Sequence, residues 1–201
     1  MDPRRFMAMA LDPGAILRAR GFTVDPWQAE ALLSKERQIL LNCCRRAGKS
    51  TVVSALALHT ALFQPNSLTL ILSPGQRQSS ETFKKVIEGF KALDRPMKAD
   101  YETQLRIEFP NGSRILCMPG VEETVRCYSP QLIIIDEAAR VPDDLYRAVR
   151  PMLAVSQGRL VVLSTPFGQR GWFYEEWNRE GPWHKIRVTW QQCPRITAQP
   201  S

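Results

Sequence analysis

An α/β layered domain built on a mostly parallel sheet is the fold that this sequence predicts, and three observations carry it. Short apolar runs, β-branched or leucine-rich, alternate with stretches long enough to be helices. The runs are too short for buried helices and too continuously apolar for a half-solvated sheet, so they read as strands covered on both faces. One Asn-Gly pair between two further runs marks a hairpin, which adds one antiparallel decoration.

In chain order, Asp25-Pro26-Trp27-Gln28 opens a short helix to about Leu33, with an Asx cap and proline at the first helical position, where its missing N–H costs nothing. Gln38 to Asn42 is the first strand and Gly48 to Phe63 the helix after it. Leu68 to Ser73 and Gln76 to Leu93 repeat the strand–helix unit. Leu105 to Phe109 and Arg114 to Met118 flank Asn111-Gly112, whose tolerance of positive φ suits a tight turn. Leu132 to Ile135, Asp143 to Leu153 and Leu160 to Ser164 complete the alternation. Trp172, Phe173, Tyr174 and Trp177 fall at helix spacing and read as core or interface before they read as a base-stacking platform. After Trp190 the strand and helix pattern is lost.

The chain of 201 residues is long enough for one domain that buries about 70% of its unfolded surface. With 44% apolar and 23% charged residues it is neither a disordered chain nor a fibre. The 27 basic against 20 acidic residues leave +7, which tilts the partner class towards polyanions. No run reaches the roughly 18 apolar residues of a membrane span, and the start of the chain lacks a signal-like apolar region, so a cytoplasmic protein is expected. Cys43, Cys44, Cys117, Cys127 and Cys193 are an odd set without a C-x-x-C pair, and His59 and His184 lie far from ligand-like spacing, which argues against a disulfide scaffold or structural zinc. His59 reads as a packed or solvated side chain, and Arg4, Arg5, Arg18 and Arg20 as a solvated basic face.

Chemistry concentrates at three strand ends. Cys43-Cys44-Arg45-Arg46-Ala47-Gly48-Lys49-Ser50-Thr51 lies between a strand and a helix, where a phosphate loop belongs. In the pattern G-x-x-x-x-G-K-[ST], backbone N–H groups and the helix N-terminus cradle phosphates, the lysine reaches the β/γ oxygens and the hydroxyl serves Mg²⁺. Gly48, Lys49 and Ser50 match, while Cys43 replaces the first glycine; on its own this segment also fits a solvated basic turn. Leu132-Ile133-Ile134-Ile135-Asp136-Glu137 is an apolar strand ending in two carboxylates, as a Walker B strand does: one for the metal, the second to polarise the attacking water. Ser164-Thr165-Pro166 ends another strand, either facing the γ-phosphate region or simply leaving the sheet by a turn.

Taken together, Trp27-Gln28, Arg45-Arg46-Ala47-Gly48-Lys49-Ser50, Val125-Arg126-Cys127-Tyr128-Ser129-Pro130 before Ile133-Ile134-Ile135-Asp136-Glu137-Ala138, and Ser164-Thr165-Pro166 resemble the ATPase domain of the large terminase subunit. That subunit is the DNA-packaging motor of tailed bacteriophages. The resemblance runs from about Trp27 to Trp190 and rests on the order and spacing of four motifs.

The resemblance implies a three-layer P-loop NTPase of the additional-strand, catalytic-glutamate type. It implies a motor that hydrolyses ATP with Mg²⁺ and pumps double-stranded DNA into a procapsid, as a homo-oligomeric ring on a portal with a small terminase subunit, in the host cytoplasm. Trp27, Gln28, Arg45, Arg46, Ala47, Gly48, Lys49, Ser50 and Thr51 would bind nucleotide, with Gln28 at the adenine edge. Ser50 and Asp136 would serve the metal, Glu137 the water, and Ser164 and Thr165 the coupling motif. The arginine that completes the site would be Arg126 in trans, or Arg45 or Arg46 in cis; the surface alternative for Arg126 is a pair with Glu122 or Glu123. Cys127 stands where the family often has glycine. The resulting division is an N-terminal extension (1–26), the ATPase domain (27–190) and a tail (191–201), with no acidic cluster of a nuclease domain after it. Two alternatives stand beside it: the first motor domain of a helicase-like ATPase, which would need a second lobe, and a nucleotide- or DNA-binding module without turnover, in which Glu137 would have no task.

Overall fold

The computed structural model describes residues 3–121 and 125–197, so Glu122 and Glu123 lie outside the described residues. Eight strands form one sheet in the order β3-β4-β5-β2-β6-β7-β1-β8. They are β1 (Gln38–Cys43), β2 (Leu68–Ser73), β3 (Tyr101–Glu102), β4 (Arg106–Glu108), β5 (Arg114–Pro119), β6 (Leu132–Asp136), β7 (Arg159–Ser164) and β8 (His184–Val188). From β5 to β8 every pairing is parallel, and β3 and β4 add the antiparallel pair. The Asn111-Gly112 turn is there, with Gly112 at φ 78, but the hairpin loop runs over residues 109–113, and Phe109 and Ser113 still exchange a backbone hydrogen bond across it.

Alternation within the strands assigns the two covering layers. Ile39, Leu41, Ile134, Val161 and Leu163 point into one core, while Leu40, Ile133, Ile135, Leu160 and Val162 point into the other. The first core is covered by α1 (Pro3–Leu11), α2 (Gly14–Ala19), α3 (Pro26–Leu33), α4 (Lys49–Phe63) and α5 (Gln76–Ala92). The second is covered by α6 (Asp143–Ser156) and α7 (Trp172–Asn178), and a last short helix, α8 (Pro194–Thr197), follows β8. The aromatic stripe is core: Trp172 stacks on Tyr146 with centroids 4.1 Å apart and donates its indole N–H to the Val141 carbonyl. Burial pushes the Tyr146 hydroxyl up to about 12.

Several elements depart from the sequence reading. Residues 3–11 and 14–19 are helical, and Met9, Ile16 and Leu17 join the main core. Arg20 is not solvated: its side chain is 11% exposed and paired with Glu88, and Arg18 pairs with Asp12. Strand β8 was hidden by His184, Lys185 and Arg187, polar residues of a sheet edge that break the apolar run. The segment past β8 keeps structure, a 3₁₀ turn over Trp190–Gln192, because Gln192 caps back onto Thr189. His59 is packed, sharing its Nε2 between the carbonyls of Met9 and Ala10.

Candidate nucleotide site

In parallel sheets of this kind ligands gather at the carboxyl ends of the strands. The loop that follows β1 is held from below by Cys43 and Ala47, both fully buried, while Arg45 and Arg46 stay exposed. Two residues take left-handed backbone, Arg46 at φ 62 and Gly48 at φ 89, and the second turns the chain into α4. Cys43 does not need positive φ: it is the last residue of β1, opposite Val188 of β8, so a side chain is accommodated where the usual motif has glycine. Lys49, only 7% exposed at the first turn of α4, donates to the Cys44 carbonyl of the loop at 3.4 Å.

β6 delivers Asp136 to the same edge. Its carboxylate is 3% exposed and accepts from Thr82 of α5 at 3.0 Å and from the Glu137 N–H at 2.9 Å, with the Ser50 hydroxyl as a further donor. Burial raises its pKa above 3.8, against the lowering effect of Thr82, Ser50 and Lys49. An anion so short of solvation, beside a hydroxyl and a lysine, suits a hard divalent cation held by one carboxylate, Ser50 and phosphate oxygens.

Because burial raises the folded pKa of Asp136 above 3.8, the penalty on its ionised form grows as the pH rises from 3.8. Asp136→Asn is therefore expected to raise Tm by a few degrees at pH 7.5, measured by scanning calorimetry without metal, with a gain that shrinks as the pH falls towards 4. A lower Tm at pH 7.5 would mean that the carboxylate's hydrogen bonds outweigh its burial.

Glu137 follows directly, in left-handed backbone at φ 53 and ψ 42, and caps the 3₁₀ turn Ala138–Arg140. Two consecutive residues at the end of β7 hold this turn. Ser164 accepts the Ala139 N–H at 3.1 Å, and the Thr165 hydroxyl donates to the Glu137 carboxylate at 3.2 Å. Outside the turn, Arg140 lies over the exposed Phe167 ring at 4.6 Å. The strand order supplies the reason that these groups meet, since β7 separates β1 from β6.

The structure thus brings Lys49, Ser50 and Asp136 together, with Glu137, Ser164 and Thr165 beside them. Trp27 and Gln28 are in the first turn of α3, where Gln28 is 1% exposed and spends its carboxamide oxygen on the Asp25 N–H at 3.0 Å. Arg126 is elsewhere: it lines a groove of about 500 Å³ with Tyr128, Arg147 and Pro151 on the flank formed by α6. Cys127 next to it is exposed and has no left-handed backbone, so glycine is not demanded there. Thr82 was missed by sequence reasoning, because a lone threonine in α5 carries no motif and only the fold brings it to Asp136.

Comparison with known proteins agrees with this geometry. The large terminase subunit of Thermus virus P23-45 is 27% identical over 151 residues, covering 65% of this chain and 31% of that protein, so the chain spans about a third of its relative's length. The large terminase ATPase domain of Thermus phage P74-26 superposes with a TM-score of 0.79 at 20% identity, covering 94% of this chain and 90% of that one. The large terminase of a thermophilic bacteriophage, solved with ATP-γ-S, superposes with a TM-score of 0.70 at 15% identity over 85% of this chain and 46% of that one. The fold is that of terminase ATPase domains, a P-loop NTPase fold with β7 as the additional strand. The family model described as "Terminase large subunit, T4likevirus-type, N-terminal" matches residues 40–195, most of the chain, and the chain therefore belongs to the terminase large subunit family, in its N-terminal ATPase domain.

Proposed function

We propose that this domain hydrolyses ATP with Mg²⁺ and uses the cycle to move double-stranded DNA into a procapsid. The observation that carries the reading is the convergence of Lys49, Ser50 and Asp136 at one sheet edge, with Glu137 fixed in the next turn. The relative solved with ATP-γ-S supports the nucleotide class.

The loop that ends at Gly48 and the N-terminus of the 15-residue α4 present backbone N–H groups to the β-phosphate. Lys49 moves from the Cys44 carbonyl to the γ-phosphoryl oxygens and follows their charge into the transition state. Ser50 and Asp136 would hold Mg²⁺, which would supply charge neutralisation to the phosphates. Glu137 orients and polarises the attacking water, and Thr165 fixes the carboxylate that does so. Ser164 and Thr165 pass a change at Glu137 into β7 and the loop carrying Phe167, which is the proposed coupling route. Arg126 is the candidate that would reach a neighbouring subunit of a ring; Arg45 and Arg46, exposed in the loop itself, are the candidates within one subunit. The ring, its portal, the small subunit and the host cytoplasm complete the proposal.

The test is phosphate release with Mg²⁺ while duplex DNA is titrated at several salt concentrations. Turnover is expected to need the metal, and DNA binding to fall with salt with a log–log slope of about 0.9 per phosphate neutralised, irrespective of sequence. Metal-dependent turnover with decisive preference for one DNA sequence would remove translocation and leave an ATPase.

A further inference from the structure

We propose that Trp190 is the stacking platform for the base of the nucleotide; this rests on the phosphate-loop reading and names its base-binding residue. The segment from Val188 to Cys193 is pinned to the phosphate loop at both ends. The Val188 carbonyl accepts the Cys44 N–H at 2.9 Å, and the Cys193 sulfur lies 3.7 Å from the Cys44 sulfur. Trp190 lies between these two contacts, so it is confined to the immediate neighbourhood of the loop.

The turn that carries it is ordered. Gln192 accepts the Thr189 N–H at 2.8 Å and its own N–H reaches the Thr189 carbonyl, while the Cys193 N–H reaches the Trp190 carbonyl. Yet Trp190 is 58% exposed, a large aromatic surface held beside the loop and left uncovered by the domain. The residues that motif reasoning assigns to the base do not offer such a surface. Trp27 is 6% exposed and Gln28 1%, and the latter's carboxamide oxygen caps α3.

A nucleotide with its phosphates on Gly48 and Lys49 must place its base somewhere along the rim of this loop. An exposed indole there offers a flat, apolar face of the kind on which bases stack. Stacking is tolerant of hydrogen-bond pattern, so the platform takes any flat aromatic base and leaves discrimination among bases to polar groups.

Calorimetric titration of the full chain with Mg-ADP and with Mg-tripolyphosphate, which has phosphates but no base, separates the contributions. Wild type is expected to bind both. Trp190→Ala is expected to weaken ADP by about tenfold or more and leave tripolyphosphate unchanged, while Trp190→Phe, which keeps an aromatic face, retains most of the ADP affinity. Unchanged ADP affinity in Trp190→Ala overturns the proposal, as does an equal loss for both ligands, which would mean a disturbed loop. Wild type that binds neither removes the phosphate loop itself.

Discussion

Glu137→Gln is expected to bind ATP with near-normal affinity and to hydrolyse it at least about 10²-fold more slowly. The amide preserves the shape of the side chain and still accepts from Thr165, so the left-handed turn at Glu137 keeps its anchor. What is lost is the negative charge that polarises the attacking water, a contribution made only as the transition state is approached. The loss should fall on kcat with little change in KM, read by phosphate release alongside equilibrium nucleotide binding. If binding falls as far as turnover, Glu137 belongs with Asp136 among the metal-holding groups instead.

Lys49→Ala should abolish turnover and weaken nucleotide binding as well. The difference from Glu137 follows from charge and position. Lys49 is a buried cation at the first turn of α4, close enough to Asp136 to lower its pKa, and in the proposed mechanism it would face phosphate oxygens in the ground state as well as the transition state. Alanine removes both contributions, leaves Asp136 with less compensation, and so lowers affinity for an anionic ligand. Titration with ADP and single-turnover phosphate release measure the two effects separately. Normal turnover in this variant would remove the assignment of the loop.

The motif residues were legible because their chemistry is local. Asp136-Glu137 sits at the end of an apolar strand and Gly48-Lys49-Ser50 at the start of the helix after one, and such strand ends are visible in hydropathy. The order of the strands was not visible, since nothing in β1, β6 or β7 says that Gln38 will lie opposite Leu160, and it took the family resemblance to expect a strand between them. Contacts across the fold were invisible for the same reason: Thr82 on Asp136, and Cys193 on Cys44. The first two helices escaped notice because they are short, and the Asp12-Pro13-Gly14 break between Met9 and Ile16-Leu17 interrupts the apolar period of the face that packs on α4.

The placement of β1 also governs when the site can exist during synthesis. Both neighbours of β1 come from the far end of the chain: Leu41 pairs with Leu163 on one side and with Ile186 on the other. A nascent chain that has released α4 and even the Walker B strand still holds β1 with two open edges, and the loop it carries has no sheet to stand on. At ordinary elongation rates that wait lasts on the order of ten seconds. Through that interval Ile39-Leu40-Leu41 is an unpaired apolar edge, and the proposed nucleotide site would be complete only when Val188 closes onto Cys43 and Cys44.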